Sequence, residues 1–533
     1  MLERTRESRL NPLDRAIAWF APAAALRRVQ ARRVLAAYDA GTPSRLRRFS
    51  RERRSGEAMA KAYAPTIRDQ ARELDRNHDL ARGAITVLVN NIVGANGIGI
   101  EPQPRTKDGD LHNDLASSLL ELWRDWSRWP EVTYQHDWAA VQRLACRTWL
   151  RDGEVFAQIL QGSVNALDHR TRVPLSLELI EPDLVPSDGW QRGIERSGGI
   201  QVNAWGQPTV YYVLKAHPGD TDSWHAAQEV KPIPAEFMIH LRHVDRIRQL
   251  RGVSVFAAVI TRLEDLREYE ESERLAAKIA ASMAGYIRKG QGTEYVAPEI
   301  SDDGEEKRRE LRFEAGMIFD DLLPGEEIGT IDTSRPNTNL QAFRDGQLRA
   351  VAAGMGASYS SLARAYDGTY SAQRQELVEQ WVHYQVMADL FTAQFVLPVW
   401  ERFVAMAKLS GALRVPKNVD LRTLDDALML MQQMPWIDPL KEAQANTALE
   451  EAGYKSAPEI IRSRGANPRE VLQQQANWLR QKREAGLVDA PAAPAAPAGN
   501  PAQSDPPDSS DPDNDAADDA QDDPSTDTKS EKP

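Results

Sequence analysis

Residues 255–288, VFAAVITRLEDLREYEESERLAAKIAASMAGYIR, form the stretch from which the fold is predicted. The stretch contains no proline and one glycine, Gly285, near its end. Its apolar residues recur at helical spacing, at Phe256, Val259, Ile260, Leu263, Leu266, Tyr269, Leu275, Ile279 and Met283. As one α-helix it would be about 50 Å long at 1.5 Å per residue. Because the apolar stripe is narrower than a monomer core needs, the pattern predicts a long helix that packs against like helices or bridges two domains.

A polar, turn-rich insert separates this helix from a second one. Residues 289–335 contain the strand-like LRFEAGMIFDDL and the turn LPGEE, and helical spacing returns at Leu340–Met355. A third helical region runs from Glu376 to Leu409, where Pro398 should kink or divide the helix. Four shorter segments up to about Gly486 are also predicted as helices, several of them ending in glycine. They are LRTLDDALMLMQQM, PLKEAQANTALEEAG, APEIIRSRG and PREVLQQQANWLRQKREAG.

The half that precedes the long helix mixes helices with strands. Helical spacing runs from Pro65 to about Val93, ends at GANGIG and is followed by the strand-like IEPQP. A second helical stretch runs from Leu111 to Leu150. Alternating runs then predict four strands of an antiparallel or mixed sheet, EVFAQIL, LSLELI, TVYYVL and EFMIHL. The predicted fold class is α+β.

The two ends of the chain carry opposite charge, within a net charge of −12. Residues 1–54 are dense in arginine and predict a mobile or partly helical arm that docks on partners, with direct nucleic-acid contact as the alternative. The arm also resembles a transit peptide, although Glu3, Glu7 and Asp14 count against one. Residues 501–533 are acidic with almost nothing apolar, which predicts a disordered tail behind a Pro/Ala linker.

Composition excludes several classes. Hydrophobic residues make up 41% and charged residues 27% of the chain, as in soluble globular proteins, and no apolar run reaches the roughly 18 residues that indicate a membrane span. The single cysteine, Cys146, rules out a disulfide within the chain. A reducing compartment fits this usage.

Searches for catalytic motifs find none that is complete. GxxxxGK[ST] and GxSxG are absent, and GANGIG lacks the spacing of a dinucleotide-binding loop. His240 and His243 have no further ligand cluster and are interpreted as a strand-end pair rather than a metal site. Trp123, Trp126 and Trp129 share one helical face, which predicts a buried or interfacial wedge. No enzymatic activity, cofactor or metal is therefore expected.

The stretch GMGASYSSLARAYDGTYSAQRQ, residues 354–375, admits three interpretations. It could cradle a phosphate, present a nucleophilic serine, or form a loop that contacts a partner without reacting. Its glycines permit loop geometry and hinge motion.

Eight short motifs follow one another in a fixed order over about residues 65–485. They are RNHDLARGAI…NNIVGANGI (76–98), DGEVF (152–156), LIEPDL (179–184), GIERSGGIQVNAWGQPTVYYV (193–213), QLRGVS (249–254), LLPGEE (322–327), YDGTYSAQR (366–374) and WIDPLKEAQA (436–445). Together they resemble the lambda-type family of bacteriophage portal proteins. The family pattern near Tyr370 reads N-Y-S-S-x-R, and here Thr369 and Ala372 replace the Asn and the second Ser. Roles that need those two side chains are not carried over.

The resemblance implies a homomeric ring of about twelve subunits at one capsid vertex. Double-stranded DNA would pass through it during packaging and ejection, and the terminase large subunit and head–tail connector proteins would dock on it. Major capsid and scaffold proteins are further implied partners, and the resemblance implies no membrane contact. The implied location is the virion, after assembly in the host cytoplasm. Two alternatives stay open: another phage or prophage head–tail connector or structural protein without the channel, and a cytosolic nucleic-acid enzyme.

The implied portal-type fold has an α/β wing, long stem helices, a small clip insert and a helical crown. Its parts map onto the chain as an N-terminal arm (1–64), wing (65–250), first stem helix (251–288), clip (289–335), second stem helix (336–357), channel loop (358–375), wing return helix (376–412), crown (413–485) and disordered tail (486–533).

The resemblance also implies two sets of functional residues. The channel loop would present to DNA Ser358, Tyr359, Ser360, Ser361, Arg364, Asp367, Thr369, Tyr370 and Arg374. The stem would contact neighbouring subunits through Phe256, Ile260, Leu263, Leu266 and Ile279. Arg364 and Arg374 are expected to give weak, transient contact that retains DNA, because many cations together would pin the duplex. In the alternative, Tyr366 and Tyr370 pack into the wing and only small residues reach the channel.

Overall fold

The computed structural model describes residues 54–186, 198–220, 229–281, 285–289, 326–330, 339–434 and 438–487. The predicted disordered tail, nearly all of the arm and most of the clip lie outside these residues. The chain divides into two compact units, residues 1–468 and 469–533. Of the helices and strands in the described residues, only the last helix, Pro468–Glu484, lies mainly in the second unit.

Four helices and the break between the first two begin the described chain. Helix α1, Gly56–Asn77, starts within the range predicted for the arm, where the Ser55 side chain accepts a hydrogen bond from the Ala58 amide at 3.2 Å. Extended backbone at His78 separates it from α2 (Asp79–Ile92), so the predicted single stretch is two helices. Helices α3 (Asn113–Trp126) and α4 (Trp138–Asp152) follow.

A cluster of aromatic rings joins α3 to the helical segment that contains Trp400 and Phe403. Trp123 stacks on Trp126 with ring centroids 4.7 Å apart, and it meets Trp400 and Phe403 edge to face at 5.4 and 4.9 Å. Trp123 and Trp126 are both buried, which confirms the predicted wedge for these two residues. Trp129 is exposed, so the face does not continue to the third position.

Two three-stranded antiparallel sheets follow α4. Their strands are β2 (Glu154–Gln161), β3 (Leu175–Ile180), β4 (Ile200–Val202), β5 (Pro208–Leu214), β6 (Val230–Pro234) and β7 (Met238–Arg242), and β1 (Gly99–Pro102) precedes them. The sheet orders are β3-β2-β7 and β4-β5-β6. All four predicted strands are present, and the mixture of helices and strands confirms the α+β class.

Residues 255–288 contain a shorter helix than predicted. A 3₁₀ turn at Val255–Ala258 precedes helix α5, Ile260–Ala281, and the end of the stretch is strand β8, Gly285–Lys289. Strand β8 pairs antiparallel with β9, Glu326–Thr330. The last residues of the predicted helix are therefore a strand that pairs with β9. Helix α6, Leu340–Met355, follows.

The assignment of the first turns of α5 to an inter-subunit surface is wrong. Phe256, Ile260, Leu263 and Leu266 are all buried in the core of their own chain. Local spacing cannot tell which partner covers a stripe, and here the same chain covers it with α6 and the wing helices. The Ile279 side chain lies outside the described part.

Away from this core, α5 and α6 have exposed apolar side chains. Leu275 and Phe343 are exposed. The helices are tied to each other by the Tyr269 and Phe343 rings, 4.8 Å apart, and by Arg344 Nε, 2.7 Å from Glu270 Oε1. The pair is thus anchored in the core at one end and exposed at the other.

Three further helices follow α6. Helix α7 is Tyr359–Ala363, α8 is Tyr370–Phe391, and α9 is Leu397–Leu409 after a π-helical turn at Thr392–Val396. Pro398 lies in the first turn of α9, directly after the π-helical turn. The α-helix is divided as predicted, but by a π-helical turn that ends two residues before the proline.

The prediction of a helix is wrong for one of the four segments predicted as helices near the C-terminal end. The segment LRTLDDALMLMQQM forms a 3₁₀ turn at Leu421–Thr423 and strand β10, Ala427–Leu430, which pairs antiparallel with β1. Pairing with β1 decides the structure of this apolar run, and Leu413, Val419 and Leu424 accordingly belong to the main core. The other three segments are helices, α10 (Pro439–Glu451), α11 (Ala457–Arg462) and α12 (Pro468–Glu484). None of the helices in the described ranges is long and apolar enough to cross a membrane.

Candidate functional site

The candidate site begins where α6 ends against the wing helix α8. Gly356 closes α6 in the left-handed conformation, at φ +67°. A Cβ at this position would lie 2.3 Å from His383 Nε2 on α8. At Gly354, a Cβ would lie 2.5 Å from Val259 Cγ1. A side chain at either position would have to displace the neighbouring side chain, and at Gly356 the left-handed backbone would add strain.

A single carboxylate organises the segment that follows. Glu376 on α8 accepts hydrogen bonds from the Ser358 hydroxyl at 2.8 Å, from the Ser360 amide at 3.0 Å and from the Ser360 hydroxyl. Burial alone would raise the pKa of Glu376, but the hydrogen bonds from Ser360 and Ser358 outweigh it and hold that pKa below its usual value. Glu376 thus stays ionised and fixes the start of α7.

The segment predicted as the channel loop, residues 358–375, contains the short helix α7 and the first turn of α8. Ser358 caps α7, with its Oγ accepting from the Ser361 amide, and its side chain is buried. The Tyr359 ring packs on the core with the Arg349 guanidinium 5.0 Å from its centroid, and burial raises its pKa. Ser358 is too buried in the protomer to serve as an exposed polar contact.

The exposed part of the segment is shorter and lies between α7 and α8. Arg364 ends α7 in the left-handed conformation, at φ +55°. Thr369 caps α8 by accepting from the Ala372 amide at 3.3 Å, so it fulfils the capping role without the Asn of the family pattern. The exposed residues of this part are Arg364, Tyr366, Asp367, Gly368, Thr369 and Tyr370. Tyr366 and Tyr370 do not pack into the wing as the alternative interpretation had it.

The two arginines expected to act together have different surroundings. Arg374 Nη1 lies 3.6 Å from Glu442 Oε1 on α10, and the pair links α8 to the C-terminal helices. Within the described ranges Arg364 has no ion-pair partner. No local sequence pattern points to Glu376 or Glu442, because each meets its partner across many residues of chain.

Elsewhere in the described chain, four of the recognised motifs meet at one buried ion pair. Glu154 of DGEVF accepts from Arg251 Nε of QLRGVS at 2.8 Å and from the Gly252 amide at 2.9 Å. Arg251 Nη1 donates to the Gly198 carbonyl at 2.7 Å, and Arg68 bridges Glu154 and Asp183 at 3.6 and 3.1 Å. Gly198 and Asp183 belong to two further motifs. The motifs thus mark a structural joint rather than a reacting centre.

The ionisation of this joint follows from burial and charge. Burial would raise the pKa of Glu154, but Arg251 and His240 outweigh it and hold that pKa well below its usual value. Burial lowers the pKa of His240 to about 4, although the hydrogen bond with Glu154 opposes the shift. His240 is therefore neutral at pH 7, and it stacks on Phe156 with ring centroids 4.2 Å apart.

One further cluster has the residue types of a metal site. Ligand atoms of Glu181, Asp183 and His217 lie within 4.8 Å of one another. However, Arg72 Nη2 already lies 2.6 Å from Asp183 Oδ2 and 3.7 Å from Glu181 Oε2. The guanidinium neutralises these carboxylates, so the donor set fits an ion pair rather than a metal.

The motifs that meet at this ion pair are among those that suggested the class of phage portal proteins. A family model described as phage portal protein, lambda family, matches residues 42–387. Since this is more than half of the chain, the chain belongs to the lambda family of phage portal proteins.

Individual relatives agree with this assignment. A probable portal protein of Halomonas phage phiHAP-1 is 28% identical over 432 residues, 79% of this chain and 81% of the relative. Portal protein B of Escherichia phage lambda is 23% identical over 454 residues, 78% of this chain and 84% of the relative. Among solved structures, the virion of a native gene transfer agent particle contains a chain with 12% identity and a TM-score of 0.38, covering 78% of this chain and 99% of that one.

Proposed function

We propose that the chain forms a ring of about twelve copies at one capsid vertex. Double-stranded DNA passes through the ring during packaging and ejection. The observation that carries the proposal is the family match over residues 42–387, which spans the wing and the helix pair.

The helix pair supports the ring. The first turns of α5, with Leu263 and Leu266, are fixed in the core of their own chain, whereas Leu275 and Phe343 further along the two helices are exposed apolar side chains. A neighbouring copy that covers Leu275 and Phe343 contributes the subunit contacts that the buried first turns cannot make.

Charge supports passage of DNA rather than tight binding. Each cation that neutralises a phosphate adds a salt-dependent attraction, and the chain carries a net charge of −12. Arg364 contacts phosphate weakly from the exposed part between α7 and α8, next to Tyr366 and Tyr370. Arg374, paired with Glu442, contributes less.

The ring serves as a platform and not as the motor. The terminase large subunit docks during packaging and is replaced by head–tail connector proteins, while major capsid and scaffold proteins surround the ring. Assembly takes place in the host cytoplasm, and the finished location is the virion. The chain itself has no enzymatic activity in this account.

Replacing the gene with an inactive copy in its phage tests the role. The proposal expects heads that remain empty of DNA, with packaging restored by the wild-type gene supplied in trans. Heads that fill with DNA but lack tails would instead identify a connector without the channel role.

A further inference from the structure

Helix α8 has an exposed apolar stripe that nothing in the described chain covers. Val378, Val382, Val386 and Leu390 recur every four residues and are 41–60% exposed. The opposite face holds the buried Trp381, Tyr384, Met387, Ala388 and Phe391. A helix that is apolar on two faces normally has a partner for each.

Acidic residues border this stripe. Glu379 and Asp389 are both exposed on α8. Glu379 accepts a hydrogen bond from Gln375 Nε2 at 2.7 Å. In the part of the chain that the structure describes, neither carboxylate forms an ion pair. The surface therefore suits a partner that combines apolar side chains with cations.

The first described residue is connected to α8 through one loop and one cavity. The Arg54 carbonyl accepts from Arg246 Nη1 at 3.0 Å. The adjacent Asp245 lines a cavity of about 390 Å³ together with His383 and Met387 of α8. Residues 1–53 therefore join the described chain at a residue bonded to Arg246, whose neighbour Asp245 lines the same cavity as α8. The stripe is about 18 Å long at 1.5 Å per residue, and a dozen extended residues already span about 40 Å.

The composition of residues 1–53 matches the surface. An apolar run that includes Ile17, Trp19 and Phe20 is flanked by the arginines Arg15 and Arg27. We propose that this N-terminal arm docks on the stripe of α8, with its apolar side chains over the valines and its arginines on Glu379 and Asp389. The inference does not depend on the ring, because the stripe and the arm belong to the same polypeptide.

Photo-crosslinking in the full chain tests the docking. Val382 is replaced by p-benzoylphenylalanine, with the same replacement of Leu409, an exposed residue on α9, as the control. After irradiation, mass spectrometry should find cross-links from position 382 to residues 1–53 and none of these from position 409. Cross-links from 382 to another segment of a second copy, or no cross-link at all, would overturn the proposal.

Removal of the acidic border tests the charge pairing. The double variant Glu379→Gln with Asp389→Asn should lower the yield of arm cross-links roughly fivefold, as expected for two exposed ion pairs. The matched double variant Glu450→Gln with Glu451→Gln, which removes two exposed carboxylates from α10, should leave that yield unchanged. Equal yields in the two double variants would contradict the pairing.

Discussion

Two glycines from different motifs allow the chain to cross itself at the buried joint. Gly153 adopts φ +90°, and a Cβ there would lie 2.4 Å from the Val253 carbonyl carbon. At Gly252, a Cβ would lie 2.0 Å from the Gly153 carbonyl oxygen. Only glycine at both positions permits this approach, which explains why DG and RG stand in two of the matched motifs.

Substitution at the crossing should therefore destabilise the chain. Gly153→Ala combines a left-handed backbone with a backbone clash and is expected to lower the free energy of unfolding by about 3 kcal/mol. Gly162→Ala is the matched control, because Gly162 has φ +69° but no atom within 4 Å of the added Cβ. It should cost about 1 kcal/mol. Chemical denaturation that gives the two variants equal losses would refute the clash.

His240 should make stability depend on pH. Its pKa of about 4 in the folded chain lies below the ordinary value near 6.5. Between these values the unfolded state binds more protons than the folded state, so stability falls as the pH falls from 6.5 to 4, by up to about 3 kcal/mol. Glu154 acts in the same direction, but only below about pH 4.

The variant His240→Gln isolates this effect. Glutamine keeps a donor for Glu154 but does not titrate, so its unfolding free energy should vary less with pH between 6.5 and 4 than that of the wild type. Thermal or urea unfolding at a series of pH values measures the difference. Parallel curves for the two chains would show that His240 does not carry the dependence.

Arg364 is the cation of the exposed segment that is best placed to touch DNA in the proposed channel. Arg364→Ala should reduce the DNA retained per filled particle severalfold, because a salt-dependent phosphate contact is lost. Arg364→Lys keeps the charge and serves as the control, and Arg374→Ala should have the smaller effect because Arg374 is paired with Glu442. Retention that is unchanged in Arg364→Ala would remove this role.

At the scale of the element, α5 divides into a buried base and an exposed far half. Leu263 is fully buried under the helices of its own chain, whereas Leu275 is 58% exposed. The sequence predicted one uniform apolar seam across both. The difference arises because the stripe enters the wing core only at its first turns.

A pair of alanine substitutions separates the two halves. Leu263→Ala should cost about 2–5 kcal/mol of unfolding free energy, as for other buried leucines. Leu275→Ala should change it by less than about 0.5 kcal/mol but should lower the yield of assembled rings. If Leu275→Ala assembles like the wild type, the far half is not a subunit contact.

Most elements of the N-terminal half were predictable because their signals are local. Alternation identified β2, β3, β5 and β7, and Pro398 marked the division between α8 and α9. The failures involve tertiary partners: ALML became β10 because β1 offered an edge. Similarly, the helical pattern after Ala281 could not show that residues 285–289 pair with β9.

At the scale of the whole molecule, the sequence predicted the family better than the site. Motif order was sufficient for the family, since it needs no contacts. The site depends on distant partners, and no local pattern connects Ser358 with Glu376 or Arg374 with Glu442. The expected channel loop therefore became a capped helix with a short exposed part.

The central claim is that copies of this chain close into a ring around a channel. Negative-stain electron microscopy of the purified full chain measures this directly, with native mass spectrometry of the same sample to count the subunits. The account predicts closed rings of about twelve copies with a central opening. A population of monomers or dimers at all concentrations, without rings, would contradict it.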